Sequence, residues 1–225
     1  MYDERLSQKV IVSGDGSKTL LMPEMNETYH STHGALTESR YVFIEKGLKM
    51  IRKPSINVFE VGFGTGLNAL LSLEHAFLHE VKVNYKTIEA YPLDYENLKV
   101  LSYGDYVDPK LALYWAKIHD EGWEKWQSVH PFFQLYKTHQ WFQDYDAPSE
   151  EVDIIYYDAF APSRQAEMWE VALCEKCIEM LRKDGMLVTY CAQGQFRRNL
   201  QACGMEVEQL SGPPGKREMI RAFKM

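Results

Sequence analysis

The sequence predicts an α/β fold: a Rossmann-like, mostly parallel sheet whose last strand runs antiparallel, with a small β appendage at the N-terminus. Three observations predict it. The stretch Ile56–Leu67, INVFEVGFGTGL, carries an apolar run, Val58–Val61, that ends in Gly62, Gly64 and Gly66. Apolar residues at helical spacing continue from Leu67 to Phe77, and a strand, a glycine turn and a helix in that order make a nucleotide-cofactor site. Strand-like runs then alternate with helical patterns as far as Cys191, which is the signature of a parallel sheet. The chain closes on a strand pair, Met205–Leu210 and Met219–Phe223, around Gly212-Pro213-Pro214-Gly215.

Taken in order, residues 1–50 read as the appendage with a helix leading into the main domain, and 51–225 as that domain. Lys9–Val12 and Thr19–Met22 flank the turn sequence Ser13-Gly14-Asp15-Gly16, a hairpin signature. Asn26–Gly34 is polar. Ala35–Lys49 is helical by its Leu36, Tyr41, Ile44 and Leu48 spacing, and Pro54 ends that pattern. After the glycine turn, Val81–Glu89 is a second strand, and Pro92 opens a helix to about Leu101. Residues 105–131, with Trp115, Trp123 and Trp126 among charged residues, read as an insertion, helical over Leu111–Ile118. Phe132–Tyr136 is the third strand. Val152–Tyr157 is the fourth, apolar on both faces and therefore central. A helix over Gln165–Leu181, a strand over Gly185–Cys191 and a helix over Phe196–Cys203 precede the final pair.

Composition sets limits on function. The 225 residues are 45% hydrophobic, and no run of 18 apolar residues marks a membrane helix. The charged start MYDERLSQK is not a signal peptide, and Cys174, Cys177, Cys191 and Cys203 read as reduced thiols of a cytoplasmic protein. Cys174-x-x-Cys177 alone is no metal site, so no metal is expected. The net charge of −7 is uneven. From Arg182 onward eight basic side chains face four acidic ones, and the rest of the chain holds seventeen against twenty-eight. An acidic body is no general nucleic-acid binder, but a basic tail permits a local phosphate-binding patch.

The chemistry is read at the carboxyl ends of the strands. Glu60 lies two residues before Gly62, and an acid there suits a cationic ligand better than a pyrophosphate. S-adenosylmethionine carries a sulfonium and an ammonium and no phosphate, so it is the expected cofactor, and the sheet is that of a class I S-adenosylmethionine methyltransferase. Glu89, 23 residues after Gly66, is placed to accept both ribose hydroxyls. His139 ends the third strand and is the candidate for the adenine amine, with Asp144 as the alternative. Asp158 ends the fourth strand in Asp158-Ala159-Phe160-Ala161-Pro162, a rigid lip beside the methyl donor. Ser163 is read as the cap of the following helix, so Asp158 is not needed as one.

The segments GFGTGLNALL, IEAYPLD, DAFAPSRQAEMW and FRRNLQACGMEVEQLSGPPGKREMI, together with NETYHSTHGALTESRYVFI near the N-terminus, resemble the methyltransferase domain of the MnmC family from about Asn26 to Ile220. The resemblance implies methyl transfer from S-adenosylmethionine to the aminomethyl nitrogen of a tRNA wobble uridine, giving a methylaminomethyl uridine that is usually 2-thiolated. It matches Glu60, Gly62, Gly64 and Gly66 to the cofactor loop, Glu89 to the ribose acid and Asp158 to the acid of the family's D-G-F-A-P. Ala159 replaces that motif's glycine, while Met168-Trp169 is retained. Arg197 and Arg198 match paired arginines, and Lys216-Arg217-Glu218-Met219 a K-R-E-M stretch. His139 stands where the family has an acid, Gln193-Gly194-Gln195 replaces a smaller turn, and Pro213-Pro214-Gly215 replaces a glycine-aromatic-glycine loop.

Two-domain members add a flavin-dependent oxidase, which has no counterpart in this sequence. The resemblance thus implies a stand-alone form that depends on a separate enzyme to supply the aminomethyl uridine. On this reading Asp158 orients the lone pair of the attacking amine, while Arg197, Arg198, Lys216, Arg217 and Arg221 are candidates for tRNA phosphates. Tyr29 and Phe160 are candidates for stacking on the wobble base. A methyltransferase acting on a small-molecule amine and a non-catalytic S-adenosylmethionine-binding partner subunit remain open alternatives. The oligomeric state is unknown from sequence.

Overall fold

The computed structural model describes residues 7–120 and 122–225; the polar start at 1–6 lies outside them. The appendage is a three-stranded antiparallel sheet of β1 (Lys9–Val12), β2 (Lys18–Met22) and β3 (Glu27–Thr28). Its turn does more than reverse the chain. α1 (Ala35–Ser39) begins with backbone N–H groups that lack intrahelical partners. Ser13 Oγ accepts from Ala35 N–H at 3.1 Å, Ser17 Oγ from Leu36 at 3.2 Å and Asp15 Oδ2 from Thr37 at 2.8 Å. The hairpin therefore caps α1 and fastens the appendage to the main domain. A wider helical turn, Arg40–Glu45, carries the helix on, with Lys46 N–H bonded to the Tyr41 carbonyl.

The main domain follows in the order β4 (Ser55–Val61), α2 (Leu67–His79), β5 (Lys82–Glu89), α3 (Tyr95–Leu98), α4 (Tyr114–Asp120), β6 (Trp126–His130) and β7 (Phe133–His139). It continues with β8 (Val152–Tyr157), α5 (Val171–Met180), β9 (Leu181–Thr189), α6 (Gly194–Ala202), β10 (Met205–Ser211) and β11 (Glu218–Lys224). The eight strands pair in the order β10-β11-β9-β8-β4-β5-β7-β6. β7, β5, β4, β8 and β9 are parallel, and β11 runs antiparallel between β9 and β10. The chain leaves β4 toward β5 on one side and returns to β8 on the other. Strand order thus reverses at β4–β8, the place where sheets of this type open a crevice. Val58, Tyr85, Leu135 and Tyr156 pack beneath α2 on one face, while Phe59, Ile155, Leu187 and Ile220 pack against α5 and α6 on the other. Every residue of β8 is buried, as its two-faced apolar sequence requires.

Several boundaries differ from the sequence reading. β6 replaces part of the expected insertion and pairs antiparallel with β7. Its alternation is inverted, with Gln127 and Val129 inside and Trp126 and Ser128 outside, so its hydrophobic pattern gave no strand signal. The helix after β5 starts at Tyr95, because Asp94, not Pro92, caps it by accepting Glu96 N–H at 3.0 Å. Ser163 caps no helix: residues 166–169 form one tight turn, and α5 begins at Val171. β9 begins at Leu181, four residues before Gly185, with a register shift against β8.

Asp15→Ala should lower stability by about 1 kcal/mol, the usual worth of a helix cap, measured by urea unfolding. Burial opposes ionisation of Asp15, but hydrogen bonds from Ser17 and Thr37 outweigh it and hold the carboxyl below the usual range. Its stabilisation is present above the unfolded carboxylate range and is lost as pH falls through the lower folded value. The difference between wild type and variant should therefore shrink in acid.

Candidate functional site

The carboxyl ends of β4, β5 and β8 converge on one cavity of 440 Å³. The backbone builds it first. Gly62 has φ +92°, and a Cβ there would lie 2.7 Å from the Asp158 carbonyl oxygen. Gly64 has φ +49°, with the Tyr29 ring 3.1 Å from where its Cβ would be. Both positions are left-handed and crowded, which favours glycine, most strictly at Gly62, where the neighbour is backbone. Gly62 N–H bonds to the Ile88 carbonyl at 3.0 Å and Asp158 N–H to the Val61 carbonyl at 3.0 Å, which ties the three strand ends together. Gly66, at φ +73°, starts α2 and backs onto His119 rather than the cavity.

Glu89 reaches across to this loop. Its Oε2 accepts Gly64 N–H and its Oε1 accepts Tyr91 N–H, both at 2.9 Å. Burial pushes its carboxyl up, opposed by the N–H donors of Gly64, Tyr91 and Ala90. Asp158 also faces the cavity, with Oδ2 accepting from Asn68 Nδ2 at 2.8 Å. Burial, and then the charge of Glu38, raise its carboxyl to about 7, against the Asn68 hydrogen bond and the charge of Lys216.

The loop after Asp158 is held rigid. Tyr190 Oη donates to the Ala159 carbonyl at 2.8 Å, Trp169 Nε1 to the Phe160 carbonyl at 2.9 Å, and Phe160 N–H to Gln165 Oε1 at 3.2 Å. Tyr157 Oη donates to the Met168 carbonyl. These bonds explain why the Met168-Trp169 pair accompanies the DAFAP stretch. The Phe160 ring meets Tyr29 edge-on at 5.1 Å, so the two candidates for base stacking form one wall.

Several residues lie elsewhere than the sequence reading placed them. Glu60 does not line the cavity. Strand alternation turns it under α2, 1% exposed, where its Oε1 accepts from the same Asn68 amide at 3.0 Å. Burial and the neighbouring Asp158 favour its neutral form, so it offers no charge to a cationic ligand. His139 is exposed, its ring beside Trp123 at 5.9 Å and its N–H on Glu124, and Asp144 is exposed as well. The cavity wall beyond β7 is instead Gln140, Trp141, Phe142 and Gln143.

Among the basic candidates only Lys216 lines the cavity. Arg197 bonds to Gln209 and Arg198 to Gln195, Arg217 is exposed, and Arg221 is held by Glu208 at 2.7 Å and by the Lys46 carbonyl at 3.1 Å. Sequence reasoning missed Asn68, Glu38 and Tyr190. Asn68 left a trace, a polar residue one position into an otherwise apolar helix start.

The residues present fit S-adenosylmethionine. Glu89 offers acceptor positions for ribose hydroxyls, Trp141 and Phe142 offer apolar surface for a base, and the tight glycine turn admits close approach of a ligand. Among the described residues Lys216 is the one lysine or arginine lining the cavity, and it pairs with Glu38 at 2.5 Å, so its charge is already met within the protein. No group of three or more metal-ligating side chains exists among the described residues, and none of their helices is long and apolar enough to cross a membrane.

Residues 134–225 match the model of a family described as S-adenosyl-L-methionine-dependent methyltransferase. Over 206 residues the chain is 28% identical to the tRNA 5-methylaminomethyl-2-thiouridine biosynthesis bifunctional protein MnmC of Methylobacillus flagellatus, covering 86% of this chain and 32% of that one. It is 28% identical to the protein of the same description from Nitrosospira multiformis, covering 90% and 35%. The chain thus spans about a third of the length of these curated relatives. Its fold resembles that of MNMC2 from Aquifex aeolicus, with TM-score 0.78, 22% identity and coverage of 97% and 70%. The spermidine synthase of Thermotoga maritima shares the fold more loosely, with TM-score 0.52 and 13% identity over 96% and 69%. The family and the cavity agree on S-adenosylmethionine as the cofactor.

The raised carboxyl of Asp158 has a consequence for stability. Its folded value, about 7, lies above the ordinary 3.8, so the native state holds the proton more tightly than the unfolded chain. Stability should therefore fall as pH rises from about 4 to about 7, by up to about 4 kcal/mol. Asp158→Asn should remove that part of the pH dependence and be the more stable protein at pH 8, in urea titrations of the ligand-free chain.

Proposed function

We propose that this chain, which belongs with the MnmC homologues, methylates the aminomethyl nitrogen of a tRNA wobble uridine, using S-adenosylmethionine and giving 5-methylaminomethyl-(2-thio)uridine. The observation that carries the reading is Asp158, oriented by Asn68 at the edge of a glycine-built cofactor cavity, beside the Tyr29–Phe160 wall. The cofactor, when bound, supplies an activated methyl group. The protein's part is alignment of the acceptor with it, which contributes several kcal/mol in reactions of this kind.

An amine attacks only as the free base. Ionised Asp158 accepts a hydrogen bond from the amine N–H and points its lone pair at the methyl group. Its Oδ2 is already engaged by Asn68, which leaves Oδ1 for the acceptor. A carboxylate raised to about 7 is also a better proton acceptor than an ordinary one. Stacked against the wall that Tyr29 and Phe160 form together, an unstacked uracil would be held by one face while its 5-substituent reaches Asp158. A small amine could use the same carboxylate without the stacking wall, so the choice of acceptor is what needs testing.

Labelled S-adenosylmethionine should transfer its methyl group to tRNA bearing aminomethyl uridine, with the product identified by nucleoside analysis. Transfer to free amines at equal or greater efficiency would instead support the small-molecule reading, and transfer to neither would support a binding subunit. Asp158→Asn should lower kcat by about 100-fold with S-adenosylhomocysteine affinity changed far less. In wild type, kcat/KM should rise with pH through about 7 as Asp158 ionises, and this limb should be missing in the variant.

A further inference from the structure

Several hydrogen-bond acceptors line the cavity, and the protein places its own ammonium among them. Glu38, 6% exposed, projects from α1 and accepts Ser31 N–H at Oε1, 3.1 Å. Its Oε2 holds Lys216 Nζ at 2.5 Å. The same Nζ stands 3.7 Å from the centroid of the Tyr190 ring, a cation–π distance. Asp158 shares this field: Glu38 raises its carboxyl and Lys216 lowers it. Asn68 adds a third acceptor. It is 3% exposed and lines the cavity, its amide nitrogen is used by Glu60 and Asp158, and its Oδ1 has no partner. A buried carbonyl oxygen without a donor carries a desolvation penalty that a ligand N–H would remove.

Two carboxyl groups, an orphaned amide oxygen and an aromatic face are complementary to a ligand that brings positive charge and several N–H donors. Lys216 meets that description from within the chain. It reaches the place on the loop that joins β10 to β11, whose turn closes through Lys216 N–H on the Pro213 carbonyl at 2.9 Å. Gly215, at φ +87°, packs against His33 so closely that a Cβ would lie 2.2 Å from its Cδ2. The loop therefore lies over the cavity, and the lysine is its only cation directed inward.

We propose that Glu38, Asp158, Asn68 Oδ1 and the Tyr190 ring form a subsite for the primary ammonium of the acceptor, and that Lys216 fills this subsite until the acceptor displaces it. The exchange conserves charge, one ammonium leaving the Glu38 carboxylate as another arrives. It rests on the reading of an amine acceptor and adds the residue that recognises it, Glu38. It also gives Lys216 an inward role in place of a contact with tRNA phosphate. A displaced Lys216 then faces the mouth of the cavity, where the rest of the acceptor lies.

The test is calorimetric titration of the full chain, loaded with S-adenosylhomocysteine, with 5-aminomethyluridine, and with uridine as the uncharged control. Wild type should bind the aminomethyl nucleoside and not uridine. Glu38→Gln should weaken that binding at least tenfold, and Lys216→Met should strengthen it, because no internal cation competes. S-adenosylhomocysteine affinity should change less than nucleoside affinity in both, because the subsite is assigned to the acceptor. Three results would overturn the subsite: unchanged nucleoside binding in Glu38→Gln, weaker binding in Lys216→Met, or an equal loss of S-adenosylhomocysteine affinity, which would assign these acceptors to the cofactor. Absence of nucleoside binding in wild type would overturn it too. Methyl transfer to tRNA is scored separately, so a chain that binds the amine as described but leaves tRNA unmethylated would retain the subsite and lose the tRNA reading.

Discussion

The Asp158 carbonyl oxygen lies 2.7 Å from the point where a Cβ on Gly62 would be. That contact sets how closely the ends of β4 and β8 approach, and the site depends on it. The two strands part there to feed opposite halves of the sheet, so their ends would otherwise be free to splay. The absence of a side chain at Gly62 lets the backbone segments touch. The bonds from Gly62 to Ile88 and from Asp158 to Val61 then make three strand ends one rigid edge. Glu89 extends the edge by holding Gly64. The backbone that carries Glu89 and Asp158 is therefore set by contacts within the strand ends themselves.

Asn68 plays a comparable part among the side chains. One amide nitrogen donates to both Glu60 and Asp158, and only one of these carboxyl groups faces the cavity. Two ionised carboxylates around one neutral donor would repel strongly in a buried site. The protein resolves this by depth. Glu60, sealed under α2, is driven toward its neutral form, while Asp158 has the cavity and Lys216 to support its charge. Neutral Glu60 becomes a positioning group for Asn68, and Asn68 for Asp158. The acid of the glycine motif thus lies one step behind the cavity wall.

Much of this was legible in the sequence, and what was missed has a pattern. Backbone features were read correctly where a residue type has a steric reason to be there: the glycines after β4, the fully apolar β8, and the hairpin loops. Glu89 and Asp158 were expected at the cavity because strand ends locate ligands in this type of sheet, and both line it. Glu60 was misplaced because alternation along β4 decides which face a side chain takes, and a motif read along one line does not carry that information. His139 failed for a similar reason, since the strand ends one residue before the wall that lines the cavity. Glu38 and Tyr190 were invisible because they reach the site from segments far apart in sequence. Gln127 and Trp126 in β6 reversed the usual inside–outside pattern, so hydrophobicity pointed away from a strand that exists.

The basic C-terminal segment shows the same limit in its charges. Counted along the chain it is a positive tail, yet Arg182 is paired with Asp153, Lys216 with Glu38, Arg221 with Glu208 and Lys224 with Glu150. These ion pairs tie β8, β9, β10 and β11 to one another and to α1, and a charge so engaged adds little to the field at the surface. Arg197 and Arg198 bond to neutral glutamines, and Arg217 is exposed, so these three retain more of their charge at the surface. If tRNA is bound as proposed, a phosphate footprint of two or three contacts would make that binding only mildly sensitive to salt. On the proposed reading, discrimination among acceptors comes from the cavity, where an uncharged aromatic wall and a cluster of acceptors offer the selectivity that the surface does not.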